Sequence, residues 1–269
     1  MTRRRRLDAE LVRRGLARSR AQAQELVEAG QVAVSGMTAA KSATQVDPDD
    51  PIVVTTPDDQ PSYVSRGGHK LAGALAAFGP DGLVVRGRRC LDAGASTGGF
   101  TDVLLQAGAV SVVAVDVGQG LLDWRLQQHP RVDVRDRTNV RDLTPAAWTG
   151  EPPSLVVADL SFISLALVLA PLVAVATPDA DFLLMVKPQF EVGRDRVGEG
   201  GVVRDPALRG EAVATIAARA YDHDLGVLGV TASPLPGPAG NVEYFLWLRS
   251  GAPPLDPHHL ERAIEEGPS

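Results

Sequence analysis

The 269-residue chain reads as an α/β protein, a doubly wound and mostly parallel sheet preceded by a small separate module. Three observations predict this. From residue 88 onward, apolar segments of strand length alternate with helical stretches. One strand runs directly into a glycine-rich turn and an amphipathic helix, RRCLDAGASTGGFTDVLL at 88–105. Between 55 and 65, Pro57 and Pro61 stand among polar neighbours, the composition of a linker. The expected division is a module over 1–60, a linker over 61–66 and the sheet domain over 67–269.

In the module, Leu7, Leu11 and Leu16 recur at helical spacing, with Gly15 near the stop. Ser19-Arg20-Ala21-Gln22 is an S-x-x-Q capping box that opens a second helix. Ala23, Leu26 and Val27 form its apolar stripe, and Gly30 stands at its C-terminal cap. Strands are expected at 31–36 and 49–54. Nine basic and four acidic residues give positions 1–41 a charge of +5, so a net −6 leaves −11 on the remainder. A basic head on an acidic body points to a polyanion gripped first by the head. Arg20 in the first turn of its helix opposes the helix dipole, which argues for a duty beyond structure.

The body begins with Arg66-Gly67-Gly68-His69-Lys70, leading into a helix through Leu71, Leu75 and Phe78. Strands are expected at 88–92, 111–116, 132–134, 154–159, 181–187, 226–232 and 241–248. Helices are expected around 99–108, 119–128, 163–176 and 206–222. The glycines at 94, 98 and 99 let the backbone approach a ligand closely, and the helix start offers free N–H groups. Asp116, at the tip of the second strand, is placed to accept both hydroxyls of a ribose, which suits a dinucleotide or S-adenosylmethionine. Ser96 replaces the second glycine of G-x-G-x-x-G, which weakens the dinucleotide alternative. Between Gln189 and Gly201 lies a polar, glycine-bearing loop, either a cover for substrate or a disordered lid.

Cys90 is the sole cysteine, so no disulfide framework exists and a reducing, cytoplasmic setting is the default. Arg3 to Arg6 are followed by Leu7-Asp8-Ala9-Glu10, with no apolar signal region. The longest apolar run, Leu165 to Ala176, is too short to span a bilayer and is broken by Pro171. No membrane and no metal are expected.

Residues 5–55, RLD…LV..GLA.SRAQAQELVEAGQVAVSG, resemble the S4 RNA-binding domain. The resemblance implies that the two helices lie on structured RNA, recognising shape and phosphates. It puts Arg6, Arg18 and Arg20 on the RNA; Arg66, outside the matched residues, is expected as a further RNA-facing residue. D-x-G-x-x-x-G-G-F-T resembles the first motif of class I methyltransferases, narrowly of the FtsJ-like ribose methyltransferases. It implies a seven-stranded sheet with the last strand antiparallel, and S-adenosylmethionine as cofactor. Gly94, Ser96, Thr97, Gly98, Gly99 and Asp116 then line the cofactor, and Asn139 meets the adenine, with Asp136 an equal candidate.

Three methyl acceptors leave different traces. A pyrimidine carbon usually needs a cysteine nucleophile, and Cys90 lies inside a strand before the turn. An exocyclic amine usually goes with [DN]-P-P-[YF], and Asp159-Leu160-Ser161-Phe162 lacks the prolines. A ribose 2′-hydroxyl needs a base. Lys70, Asp159, Lys187 and Glu243 match, in order and position, the K-D-K-E tetrad of FtsJ-like 2′-O-methyltransferases. All but the first adjoin runs that are expected to be buried, where an unpaired charge is expensive. By that resemblance Lys187 is the general base, oriented by the acids, while Lys70 positions the ribose. The two-part organisation resembles the TlyA family across nearly the whole chain. It implies a cytidine 2′-O-methyltransferase acting on ribosomal RNA of small, large or both subunits, with a monomer favoured. The competing readings are a non-catalytic RNA-binding protein and a membrane-active haemolysin.

Overall fold

The structure is a computed structural model and describes residues 4–39, 41–54 and 62–267. The chain divides into two units, Met1–Ser62 and Tyr63–Ser269. The stretch with Pro57 and Pro61, and hence the first residue of the expected linker, lies outside the described residues. Residues 63–66 are held by the second unit. The Val64 amide donates to Asp102 Oδ2 at 2.8 Å, and Arg66 Nη2 donates to the Pro236 carbonyl at 2.7 Å.

The first unit runs β1 (Arg5–Arg6), α1 (Leu7–Arg13), α2 (Arg20–Glu28), β2 (Val32–Val34), β3 (Met37–Thr38), β4 (Gln45–Val46) and β5 (Ile52–Val54). Both helices stop at glycines in the left-handed region, Gly15 (φ 72°) and Gly30 (φ 68°). In each, the following amide reaches five residues back, Leu16 to Leu11 at 2.9 Å and Gln31 to Leu26 at 3.0 Å, the bond of a Schellman cap. Ser19 caps α2 by accepting the Gln22 amide, but Gln22 Oε1 returns to the amide of Arg18, one residue earlier than in a capping box. Leu7, Leu11, Ala23, Val27, Val32 and Val46 form a separate small core. The pairs β3-β2-β5 and β1-β4 are antiparallel.

The second unit runs α3 (Gly67–Phe78), β6 (Arg89–Ala93), α4 (Gly99–Gln106), β7 (Ser111–Val115), α5 (Trp124–Gln127), β8 (Val132–Arg135), β9 (Leu155–Ala158), α6 (Leu169–Val175), β10 (Asp181–Val186), α7 (Pro188–Glu191), α8 (Pro206–Tyr221), β11 (Leu225–Ala232), β12 (Tyr244–Ser250) and α9 (Pro257–Glu265). Its sheet has the order β11-β12-β10-β9-β6-β7-β8, parallel except for β12, which pairs antiparallel with β10 and β11. Every residue of β9 and β10 is buried, as strands covered on both faces must be. Strand parity sorts the two cores. Val156, Phe182, Leu184 and Leu246 meet α6, α8 and α9, while Leu155, Leu183, Met185 and Trp247 meet α3 and α4.

Several elements differ from expectation. The helix expected over 119–128 is only α5, because Gly120 takes φ 64° and Asp123 caps the chain at that point. The 163–176 helix is a 3-10 turn at Leu165–Leu167 followed by α6, broken at Val168. Pro171 causes no break, since a proline in the first turn of α6 gives up an amide that the helix does not use. Helix α9 and the two-residue strands β1, β3 and β4 were not expected, and α7 occupies the start of the expected 189–201 loop because Pro188 opens a helical turn there.

Candidate active site

The carboxyl edge of the parallel strands gathers the site. Ala158 lies level with Ala93 on one side and Leu184 on the other, so Gly94 and Asp159 leave β6 and β9 side by side. Gly94 has φ 87°, and a Cβ there would stand 2.7 Å from the Asp159 carbonyl. Gly98 has φ 97° and faces Leu122 and Leu126 with no room for a side chain. Only glycine fits either place. Gly99 begins α4 against Gly68 and Ser65, where its own Cβ would meet the Gly68 nitrogen at 2.7 Å. Ser96 (φ 47°) and Thr97 are exposed at the crest of the turn.

Asp116 follows β7. Its Oδ2 accepts the Ser96 amide at 2.8 Å and its Oδ1 the Gly118 amide at 2.7 Å, so the carboxylate ties the turn after β6 to the turn after β7. Asn139 caps a 3-10 turn through the Arg141 amide at 3.1 Å, whereas the Asp136 carboxylate accepts the Gly120 amide at 2.7 Å. Both alternatives therefore stand on the loop after β8.

The four tetrad positions form two ion pairs. Lys70 Nζ meets Glu243 Oε2 at 2.5 Å with both side chains buried. Lys187 Nζ lies 2.6 Å from Asp159 Oδ1 and donates to Ser161 Oγ at 2.8 Å. Val186 pairs with Tyr244, so Lys187 and Glu243 leave adjoining antiparallel strands at the same edge. Lys187 also stops its strand, because Pro188 follows and opens α7 at the position a proline tolerates best. Each charge removed from water thus has an opposite partner, the arrangement that makes its burial tolerable.

Beneath the turn is Asp92, wholly buried in β6. Its Oδ2 accepts the Thr101 hydroxyl at 2.6 Å, while Oδ1 has no partner among the described residues. Burial pushes this carboxyl up to about 7, with the negative charges of Asp159 and Asp116 adding to the effect. Cys90, two residues earlier, is buried and its thiol is pushed up to about 12, which leaves it without nucleophilic character.

Four residues that the sequence did not single out belong to the same edge. Ser161 accepts from Lys187. Phe162 is 91% exposed, holds φ 64°, and lies 5.2 Å from the Phe190 ring. Glu191 binds the Ser164 hydroxyl at 2.5 Å and the Leu165 amide at 2.9 Å, joining the loop after β9 to α7. Asn241 pins the 193–204 loop, accepting the Val203 amide at 2.9 Å and donating to the Gly201 carbonyl at 2.8 Å. A short sequence signal existed for one of them: an apolar Phe162 between Asp159 and the next helix has no helical or strand period to serve.

Of the arginines expected on RNA, Arg6 and Arg20 converge on one buried carboxylate, Asp8, so the charge at the start of α2 that opposes its dipole has a partner. Arg18 is exposed at the turn between α1 and α2. Arg66 lies in the other unit, at the start of α3, bound to the Pro236 carbonyl.

The profile of the FtsJ-like methyltransferase family matches residues 63–250, and that of the S4 domain matches 5–52. The chain is 58% identical over 273 residues to the 16S/23S rRNA (cytidine-2′-O)-methyltransferase TlyA of Mycobacterium tuberculosis, covering 100% of both. It is 37% identical to Hemolysin A of Brachyspira hyodysenteriae, over 89% of this chain and 97% of that protein. Among solved structures, one from Streptococcus thermophilus described as a candidate hemolysin superposes with a TM-score of 0.77 at 36% identity, covering 99% of this chain and 96% of that one.

Proposed function

The chain belongs to the FtsJ-like methyltransferase family, and from that membership we propose that it methylates the ribose 2′-oxygen of cytidine in ribosomal RNA, with S-adenosylmethionine as the donor. The observation that carries the reading is the pair of lysine–acid contacts at one strand edge beside a turn that admits only glycine.

The glycine turn suits the cofactor, since Gly94 and Gly98 leave backbone where any side chain would intrude. Gly94, Ser96, Thr97, Gly98 and Gly99 would hold its methionine and ribose portions, Asp116 its ribose hydroxyls and Asn139 its adenine. When bound, the group supplies an electrophilic methyl carbon. Lys187 Nζ, in its neutral form, takes the proton from the 2′-hydroxyl as the oxygen attacks. Asp159 and Ser161 hold that nitrogen in place and then face the ammonium that forms. Lys70, oriented by Glu243, offers a fixed positive charge to the ribose or its phosphate. Phe162 presents a ring face on which a substrate base can stack. Arg6, Arg18 and Arg20, with Arg66 in the catalytic unit, bind the RNA backbone.

Ribosomal subunits in the cytoplasm are the substrate that this reading implies, and a monomer suffices for it. The test is transfer of labelled methyl to ribosomal RNA from cells lacking the enzyme, followed by mapping of the modified nucleotide. A 2′-O-methylcytidine is the expected product. Modification on a base, or none, overturns the reading. Among the described residues no helix is long and apolar enough to cross a membrane. Dye release from liposomes tests the haemolytic activity that two relatives' names suggest.

A further inference from the structure

Two acids in the basic head are fully buried, although the unit has only a small core to place them against. Asp8 and Glu10 are both 0% exposed. Asp8 accepts Arg6 through a two-point fork, Nε at 3.1 Å and Nη2 at 2.8 Å, and Arg20 Nη2 at 3.0 Å. Glu10 accepts Arg13 through a second fork, Nε at 2.8 Å and Nη2 at 2.5 Å, with Arg5 Nη1 at 3.8 Å. Arg14 also meets Glu10, but its remaining donors are spent on the Asp50 and Pro48 carbonyls. The other four keep a free edge: Arg5, Arg6, Arg13 and Arg20 have side chains 50%, 43%, 47% and 58% exposed. Together with Arg4, Ala9 and Gln45 they line one open hollow of ≈ 510 Å³.

We propose that Asp8 and Glu10 are positioning residues for RNA recognition, holding Arg6, Arg13 and Arg20 so that their outer edges, with Arg5 beside them, form one receptor for successive phosphates of folded RNA. Each guanidinium has five donors in a plane, and a fork spent on a buried carboxylate leaves a parallel edge aimed away from it. A tethered guanidinium has already lost the rotamer freedom that binding otherwise costs. The neighbouring guanidiniums, first Arg6, hold the Asp8 carboxyl well below the usual carboxylate range. Arg13 likewise brings Glu10 to about 2, so both stay charged wherever RNA binds.

This inference rests on ribosomal RNA being the substrate, and its sign differs from that of simple charge. Asp8→Asn adds one positive charge, which by long-range attraction alone tightens binding of a polyanion. Positioning gives the reverse. The full chain is assayed for methyl transfer to ribosomal subunits across a range of salt, with KM and kcat separated. Asp8→Asn should raise KM for RNA roughly tenfold, the value of one charge-assisted contact, while kcat and S-adenosylmethionine affinity hold. In an Arg6→Ala, Arg20→Ala background the same change should add nothing. Arg20→Lys, on an exposed side chain that keeps its charge, should also raise KM several-fold, and it reads the Arg20 contact to the same carboxylate if Asp8→Asn does not fold. A KM unchanged or lowered in Asp8→Asn, or unchanged in Arg20→Lys, overturns the proposal. Wild type that fails to methylate the RNA sinks the functional reading instead.

Discussion

At Lys187 the proposed chemistry narrows to one nitrogen, held between Asp159 and Ser161 and 9% exposed at its side chain. Lys187→Ala should lose at least ~10²-fold in kcat, the scale of a general base, while calorimetry shows S-adenosylmethionine still bound. Near-normal turnover would remove it from that role. Asp92 governs a different property. Its carboxyl stands near 7 in the folded chain because of burial, against about 3.9 for an unfolded aspartate. Between those values the folded state holds a proton that the unfolded state has released, so folding weakens as pH rises, by about 1.4 kcal/mol per unit from this group alone. Above about 7 the loss is complete and constant. Asp92→Asn should remove that slope. The difference in stability between variant and wild type, from urea titrations at pH 5, 6, 7 and 8, should move in the variant's favour up to pH 7 and then level. A flat difference would refute the shift.

Helix α3 carries Lys70, and its position against α4 depends on the absence of a side chain at Gly99. A methyl group there meets the Gly68 backbone nitrogen at 2.7 Å, which cannot swing aside as a side chain can. Gly99→Ala should therefore part the two helices, cost about 1–3 kcal/mol as overpacking does, and lower kcat by displacing Lys70 from Glu243. Gly87→Ala is the control. Its φ is 79° but, its chain neighbours aside, no atom of the described residues lies within 4 Å of the added carbon, so it should cost only about 1–2 kcal/mol of backbone strain and leave kcat alone. Thermal denaturation and single-turnover rates of the pair separate packing from strain. Equal rates in both variants would show that α3 does not need this contact.

For the whole molecule, the positive excess is confined to residues 1–41 at +5. Asp47, Asp49, Asp50, Asp58 and Asp59 bring residues 1–62 to zero and leave −6 on 63–269, so attraction for RNA falls to the arginines at the start of the first unit and not to its net charge. The two units have separate cores, and the glycine turn, Asp116 and the tetrad all lie in the second. A chain starting at residue 63 should thus keep its affinity for S-adenosylmethionine while methylation of ribosomal subunits collapses at ~0.15 M salt. In the full chain, Arg18→Ala should flatten the salt dependence by about one unit of log–log slope if it contacts a phosphate. Comparable modification of the same nucleotide by the shortened chain would show that the catalytic unit's own surface carries recognition.

The sequence by itself determined the alternation of strand and helix, the glycine turn, and the order of Lys70, Asp159, Lys187 and Glu243. The strands are written locally as apolar runs and the turn as a run of glycines, while the four charged positions were legible through their resemblance to the FtsJ-like pattern. What only the tertiary structure decided is partnership. That Glu243 takes Lys70 and Asp159 takes Lys187 follows from the packing of α3 on the sheet and from the order of β9, β10 and β12, which bring together residues 173 and 28 positions apart. The short α5, the broken 163–176 helix and the paired two-residue strands also escaped local reading, since turn geometry and sheet closure outweigh propensity over so few residues. The same holds at Asp8 and Glu10. In sequence they are acids in the first turn of a basic helix, and only folding shows them buried beneath the arginines that they hold.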